Sequence, residues 1–114
     1  MVQTKSLKKL LGHLHCTCLQ GAAPNEIQIS AIVTDSRQVT DGTLFVAVKG
    51  ENFDGHDFIS SAAELGSIAI LIEEGSVDRE AIAGLNAAVF AVKSTREALA
   101  RVAASMYDNP QDEM

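Results

Sequence analysis

A hydroxyl, a carboxylate, a second hydroxyl and a guanidinium follow one another in the chain, at Thr34, Asp35, Ser36 and Arg37. At the end of a strand, hydroxyls and exposed backbone N–H groups can hold phosphate oxygens, and Arg37 can add a charged fork. The alternative is an ordinary turn, in which Asp35 and Ser36 cap their own backbone and Arg37 is solvated. Spacing alone favours the turn, so phosphate binding needs support from other parts of the chain.

The next candidate is a polar loop that contains Glu51, Asn52 and Phe53. The Asn52 amide offers both a donor and an acceptor, which suits the edge of a uracil ring, and the Phe53 ring can stack on a base. The alternative is a solvated loop with Phe53 folded into the core. The residues by themselves favour this alternative.

The segment that follows, Asp54-Gly55-His56-Asp57, combines one imidazole with two carboxylates. These groups could form the corner of a metal site or an acid–base pair. However, Asp54-Gly55 is a turn signal, and Asp57 is placed to cap the N-terminus of a helix. We therefore interpret the segment as a turn followed by a helix N-cap.

A cluster of zinc-binding residue types lies near the N-terminus, at His13, His15, Cys16 and Cys18. Structural zinc sites usually pair C-x₂₋₄-C with a second, distant pair of ligands, whereas this chain has only C-x-C and nothing remote. His13 falls at the end of a predicted helix, where a partial positive charge is favoured in any case. The spacing therefore favours free thiols and ordinary histidines over a metal site.

Two nucleotide-binding motifs are missing from the sequence. The chain contains neither G-x-x-x-x-G-K-[ST] nor G-x-G-x-x-G, so it shows no machinery for nucleotide hydrolysis or dinucleotide binding. No Ser-His-Asp or Cys-His set lies in a recognisable strand–turn context. The residues alone therefore indicate a binding domain.

The composition is that of an ordinary soluble globular protein of one domain, with 114 residues, 46% hydrophobic and 21% charged. The net charge of −6 and the lack of basic runs argue against a nucleic-acid surface. No apolar run approaches the length of about 20 residues that a membrane span needs, and no apolar block follows the N-terminal lysines as in a signal peptide. The composition therefore predicts a cytoplasmic protein.

Strands and helices alternate along the predicted chain. The continuous apolar run 44–48 is typical of a strand buried on both faces, and turn signals flank it. The other predicted elements are a helix over 7–14, a loop over 16–25, one or two short strands within 26–34, a second helix, a strand over 68–72, a short helix over 77–85, a strand over 87–92 and a last helix that begins with the capping box Ser94–Glu97. The second helix is predicted to begin at the N-cap Asp57 and to end before Gly66 as C′ residue, with a buried apolar stripe of Phe58, Ile59, Ala62, Ala63 and Leu65.

This alternation predicts the fold class. Strand, helix and strand with short connections make a βαβ unit, whose two strands are parallel and whose crossover is right-handed. We therefore expect an α/β three-layer sandwich, with a mainly parallel sheet of four to five strands and flanking helices. The predicted core is one contiguous unit, so we expect a monomer.

The central run DSR-x-V-x-x-G-x-LFVAVKG-x-x-x-DGHDF closely resembles the N-terminal domain of the Mur ligases, and the likeness extends from Leu7 to the C-terminus. Mur ligases are ATP-dependent amide-bond-forming enzymes of bacterial peptidoglycan assembly. Two types share this motif: MurE adds the third peptide residue, and MurF adds D-Ala-D-Ala. Residues 106–114 are similar to the MurE pattern, in which a short Tyr-x-x-Pro segment leads into the ATP-binding domain.

The resemblance implies that residues 1–107 bind the UDP end of UDP-N-acetylmuramoyl-L-Ala-D-Glu, and that residues 108–114 begin a linker to an ATP-binding domain. Thr34 and Ser36 then contact the uridine diphosphate, and Glu51, Asn52 and Phe53 form the loop beside the nucleotide. The segment Asp54-Gly55-His56 becomes a structural corner. ATP and Mg²⁺ belong to the full-length enzyme, so this chain alone holds no cofactor and is not catalytic.

Two alternatives stay open at this point. One is the same domain of the MurF type. The other is a non-enzymatic module that binds a metal or a partner through the cluster from His13 to Cys18. The sequence does not distinguish diaminopimelate from lysine as the added residue.

Overall fold

The computed structural model of the chain describes residues 4–12, 14–21, 26–49 and 54–106. Two 3₁₀ turns lie among them, at Ser36–Gln38 and Gly55–Phe58. The strands and α-helices are, in chain order, β1 (Lys5–Ser6), α1 (Leu7–Leu11), β2 (Thr17–Gln20), β3 (Gln28–Ile29), β4 (Ala31–Val33), β5 (Thr43–Val46), α2 (Ile59–Glu64), β6 (Ala69–Glu73), α3 (Arg79–Ile82), β7 (Ala88–Val92) and α4 (Thr95–Met106).

Five strands form one sheet in the order β2-β7-β6-β5-β4. The four strands from β4 to β7 are parallel to their neighbours, and β2 joins the edge of β7 antiparallel. A separate two-stranded ribbon pairs β1 with β3. The predicted α/β class, with a mainly parallel sheet and flanking helices, is confirmed.

The sheet is covered on both faces, which makes the three layers. Successive residues of β5 alternate between two apolar clusters: Leu44 and Val46 pack with α1 and α4, whereas Phe45 packs with α2 and α3. Every residue of β5 and β7 is buried, as the continuous apolar runs predict for strands covered on both sides. None of the helices in the described ranges is long and apolar enough to cross a membrane.

Side-chain hydroxyls cap two helices. The Ser6 Oγ accepts a hydrogen bond from the Lys9 backbone N–H at 3.3 Å, at the start of α1. The Ser94 Oγ accepts one from the Glu97 backbone N–H, also at 3.3 Å, which is the N-terminal half of the predicted capping box. At the end of α2, Gly66 has a φ of +114°, a conformation that favours glycine and matches its predicted position just past the helix.

Two local predictions were wrong. The segment 16–25 was predicted to be a loop, but β2 lies within it and pairs with β7. Asp57 was predicted to cap a helix, but the capping carboxylate is that of Asp54, which accepts a hydrogen bond from the His56 backbone N–H at the start of a 3₁₀ turn. The helix α2 then begins only at Ile59 and has no side-chain cap.

Candidate functional site

The carboxyl ends of the four parallel strands lie along one edge of the sheet. The strand β4 runs directly into Thr34, and β6 ends at Glu73 in the same edge. In open α/β sheets, ligands bind in the crevice just outside the carboxyl ends of the strands. A binding site is therefore expected at this edge of the sheet.

A pocket of about 300 Å³ opens at this edge. Among the described residues, its lining consists of Thr34, Asp35, Ser36, Arg37 and Phe58. Thr34 and Ser36, both singled out from the sequence, therefore lie in one pocket. Within the described residues, their hydroxyl groups have no protein hydrogen-bond partner, which leaves them available to a ligand.

The 3₁₀ turn beside the pocket is held by Asp35 and Arg37. The Asp35 Oδ1 accepts a hydrogen bond from the Arg37 backbone N–H at 2.9 Å, and the Arg37 Nη2 lies 2.8 Å from the Asp35 Oδ2. The side-chain hydrogen bonds from Arg37 hold the pKa of Asp35 down at about 2. These bonds order the turn. An ordered turn is compatible both with phosphate binding by this segment and with a purely structural role.

Arg37 retains donors for a ligand despite this ion pair. Only its Nε and Nη2 atoms bond to Asp35. A guanidinium has five N–H donors, so the Nη1 donors stay unused in the bonds to Asp35. The side chain is 88% exposed, which places these donors in water at the mouth of the pocket.

Next to the pocket, the His56 ring is buried between a carboxylate and the end of β6. Its Nδ1 lies 2.6 Å from the Asp54 Oδ1, and its Nε2 accepts the Glu73 backbone N–H at 3.0 Å. Because Nε2 accepts, we assign the proton to Nδ1, which donates to Asp54. Both ring nitrogens are engaged within the protein, so His56 forms a structural corner rather than an acid–base group.

Two further hydrogen bonds connect this corner to α4. The Glu73 Oε1 accepts the Thr95 backbone N–H at 3.2 Å, and the Arg96 Nη2 donates to the Lys49 carbonyl oxygen at 3.0 Å. Lys49 and Asp54 face each other in an isolated antiparallel bridge. The ends of β5 and β6 and the start of α4 are thus joined at the edge that carries the pocket.

Of the other sequence candidates, some lie outside the described residues and the rest do not line the pocket. Glu51, Asn52 and Phe53 lie outside the described residues, and so does His13. His15 is exposed just before β2, and Cys18 is exposed within it. Burial raises the pKa of the Cys16 thiol, and the neighbouring Cys18 raises it further. No group of three or more His, Cys, Asp or Glu residues in the described part of the chain is arranged to hold a metal ion.

Sequence reasoning missed Phe58 as a pocket residue. The apolar spacing placed it on the buried stripe of a helix, whereas it ends a 3₁₀ turn and is 40% exposed. Its position three residues after Gly55, close to a turn signal that follows a predicted strand, was the available clue, since binding residues are often found on such loops.

The carboxylate of Asp54 should make stability depend on acid pH. The His56 backbone N–H and then its ring N–H lower the pKa of Asp54 below the ordinary value of 3.8. A carboxyl group with a lowered pKa in the folded state contributes stability that is present above pH 3.8 and is lost as the pH falls through the lowered value. We expect Asp54→Asn to be less stable at pH 6 and to lose less of its stability on acidification.

Urea unfolding of both proteins between pH 6 and pH 2.5 measures this difference. Parallel curves over the whole range would contradict it. Asp35 also has a lowered pKa, but it is solvent-exposed, so screening reduces its influence on the same measurement.

Comparison with known proteins identifies the family. A family profile described as "Mur ligase family, catalytic domain" matches residues 28–107. The chain is 38% identical over 104 residues to the UDP-N-acetylmuramoyl-L-alanyl-D-glutamate–2,6-diaminopimelate ligase of Parabacteroides distasonis, covering 91% of this chain and 20% of that protein. It is 40% identical over 90 residues to the enzyme of the same name from Listeria monocytogenes, covering 79% of this chain and 17% of that protein.

Solved structures agree with these matches. A crystal structure of MurF from Acinetobacter baumannii is similar with a TM-score of 0.71 and 27% identity, covering 91% of this chain and 21% of that one. MurF from Thermotoga maritima in complex with ADP is 41% identical with a TM-score of 0.50, covering 64% of this chain and 16% of that one. The chain spans about a fifth of the length of these relatives, and on the strength of the matches it belongs to the Mur ligase family.

Proposed function

We propose that this chain is the UDP-sugar-binding domain of an ATP-dependent ligase of peptidoglycan synthesis, of the MurE type. Its substrate is UDP-N-acetylmuramoyl-L-Ala-D-Glu, to which the whole enzyme adds the third peptide residue. The observation that carries the proposal is the pocket at the carboxyl edge of the sheet, where Thr34 and Ser36 present hydroxyls that have no hydrogen-bond partner among the described residues.

The pocket chemistry suits the nucleotide end of this substrate. Hydroxyls of Thr34 and Ser36 and the unused Nη1 donors of Arg37 can donate to diphosphate oxygens. The Phe58 ring gives the pocket an apolar wall that suits a base or a ribose. A volume of about 300 Å³ is at the small end for ligand pockets, so it fits one end of the substrate rather than the whole molecule.

In this proposal the chain divides into a binding part, 1–107, and the start of a linker, 108–114. The chain contributes substrate binding, while ATP and Mg²⁺ act elsewhere in the whole enzyme, since the sequence has no phosphate-binding loop. The family resemblance assigns Glu51, Asn52 and Phe53, which lie outside the described residues, to the loop beside the nucleotide. The domain works as a monomer in the cytoplasm, where UDP-activated precursors are made.

The type of ligase is the finer part of the proposal. Relatives named as 2,6-diaminopimelate ligases support MurE and favour diaminopimelate as the added residue. The structural likeness to MurF supports the second candidate, a ligase that adds D-Ala-D-Ala. An assay of the whole enzyme with each amino acceptor separates the two, because only one acceptor should be joined to its UDP-muramoyl substrate.

Replacing Ser36 with alanine should weaken binding of the UDP-sugar while leaving stability nearly unchanged. The hydroxyl has no hydrogen-bond partner within the described part of the chain, so its loss should remove only a bond to the ligand, worth about 0.5–1.5 kcal/mol and more with a charged acceptor. The expected result is a rise of about two- to tenfold in the Michaelis constant of the whole ligase for UDP-N-acetylmuramoyl-L-Ala-D-Glu.

The matched control is Ser61→Ala, which removes an exposed hydroxyl from α2 outside the pocket. Ser61→Ala should leave the Michaelis constant for the UDP-sugar unchanged. Both variants should leave the Michaelis constant for ATP unchanged. An unchanged constant for the UDP-sugar in Ser36→Ala would mean that the segment is only a turn.

A further inference from the structure

Hydrogen bonds close a ring at the carboxyl edge of the sheet. Starting from Asp54, the ring runs through the His56 imidazole to the Glu73 backbone N–H, and through the Glu73 carboxylate to the start of α4. From α4, Arg96 returns to the Lys49 carbonyl, which lies opposite Asp54. We call this set the edge ring. It fastens the chain on both sides of residues 50–53.

His56 is the member that joins the 3₁₀ turn to the sheet. Its side chain is only 4% exposed, and both ring nitrogens are used. The lone pair on Nε2 faces a backbone N–H, so the ring fits only as the neutral tautomer with the proton on Nδ1. A side chain that lacks either the donor or the acceptor would therefore break one of the two links.

The same turn carries a wall of the pocket. His56 and Phe58 are both in the 3₁₀ turn Gly55–Phe58, and Phe58 lines the same pocket as Thr34 and Ser36. The other end of the turn is fixed to the segment that follows β5, since the Gly55 N–H donates to the Val48 carbonyl at 2.9 Å. The His56 imidazole thus connects this turn to β6 through its hydrogen bond with the Glu73 backbone N–H.

We propose that His56 is a positioning residue for UDP-sugar binding, which acts by holding Phe58 in place against the pocket. This inference rests on the proposed function, because it concerns affinity for the same ligand. His56 itself does not touch the ligand. Its effect passes through the turn to the aromatic wall.

Two substitutions test separately the two hydrogen bonds of the His56 imidazole, to Asp54 and to Glu73. His56→Gln places an acceptor near the Nε2 position and loses the bond to Asp54, whereas His56→Asn keeps a donor near the Nδ1 position and loses the bond to Glu73. Each should raise the dissociation constant of UDP-N-acetylmuramoyl-L-Ala-D-Glu by about five- to tenfold, as measured by NMR titration of the 114-residue chain. Amide exchange at Glu73 should accelerate in His56→Asn and not in His56→Gln.

The control for a general loss of stability is Ser67→Ala. The Ser67 hydroxyl is buried at the amino end of the sheet, where its one proton is shared between the Thr43 and Ala69 carbonyl oxygens, which lie 3.0 and 2.8 Å from its Oγ. This variant should lower the urea midpoint and leave the dissociation constant unchanged. If the His56 variants behave in the same way, His56 is merely structural and the inference is overturned.

A double-mutant cycle tests the route through Phe58. In a Phe58→Ala background, His56→Asn should change the dissociation constant by less than about twofold, because the wall that it positions is gone. Fully additive effects would overturn the route. Failure of the unmutated chain to bind the UDP-sugar would overturn the proposed function together with this inference, whereas normal binding by the His56 variants would overturn the inference alone.

Discussion

Replacing Phe90 with alanine should lower the free energy of unfolding by about 3–5 kcal/mol. Phe90 is completely buried at the middle of β7, between Cys18 on β2 and Leu71 on β6. Its ring fills the cluster that joins the sheet to α1 and α4. Alanine would remove the ring and leave a cavity that rigid neighbouring strands cannot close, so both the transfer term and the cavity term contribute.

This loss is a large fraction of the roughly 5–15 kcal/mol that stabilises a typical domain. Urea unfolding followed by circular dichroism measures it directly. Phe90→Leu keeps most of the side-chain volume and should cost clearly less. A loss for alanine no larger than that for leucine would contradict the packing described for this face of the sheet.

The three strands buried on both faces could be predicted from sequence because burial on both faces produces a continuous run of apolar residues. The runs 44–48, 68–72 and 87–92 are continuously apolar, and β5, β6 and β7 lie within one or two residues of them. A strand covered by helices on both sides carries mainly apolar side chains on both faces. The sequence therefore carried enough information for the fold class and the sheet centre.

The strand β2 could not be predicted in this way. Its residues Thr-Cys-Leu-Gln are exposed or half-buried at the sheet edge, so no apolar run or clean alternation marks them. It becomes a strand by pairing with β7, about 70 residues away along the chain. A local pattern of apolar and polar residues gives no information on a pairing between strands so far apart along the chain.

The hydroxyl residues of the candidate site, Thr34 and Ser36, could be picked out from the sequence, whereas its aromatic residue, Phe58, could not. Thr34 and Ser36 follow a predicted strand, so their place at its carboxyl end came from the alternation of elements alone. Phe58 was assigned to a buried helical stripe because the onset of the helix was set at Asp57. The onset lies later because Asp54 and the His56 ring hold residues 55–58 in a 3₁₀ turn, an interaction that spacing does not reveal.

Replacing Gly55 with alanine should damage both the fold and the site. A Cβ atom at this position would lie 2.8 Å from the Val48 backbone N and 3.1 Å from the Ala47 Cα. These are backbone atoms at the end of β5, so relief requires the turn and the strand end to separate. The hydrogen bond from the Gly55 N–H to the Val48 carbonyl would be strained at the same time.

We expect Gly55→Ala to lose about 1–3 kcal/mol of stability, the usual cost of overpacking, and to bind the UDP-sugar at least about tenfold more weakly. The binding loss follows because Phe58 moves with the turn that Gly55 begins. The matched control is Gly84→Ala, since a Cβ atom there has no neighbour within 4 Å and should leave stability within about 0.5 kcal/mol. Urea unfolding and the same NMR titration measure both variants. Unchanged affinity in a destabilised Gly55→Ala protein would show that the turn serves the fold alone, and that the pocket does not depend on where Phe58 is held.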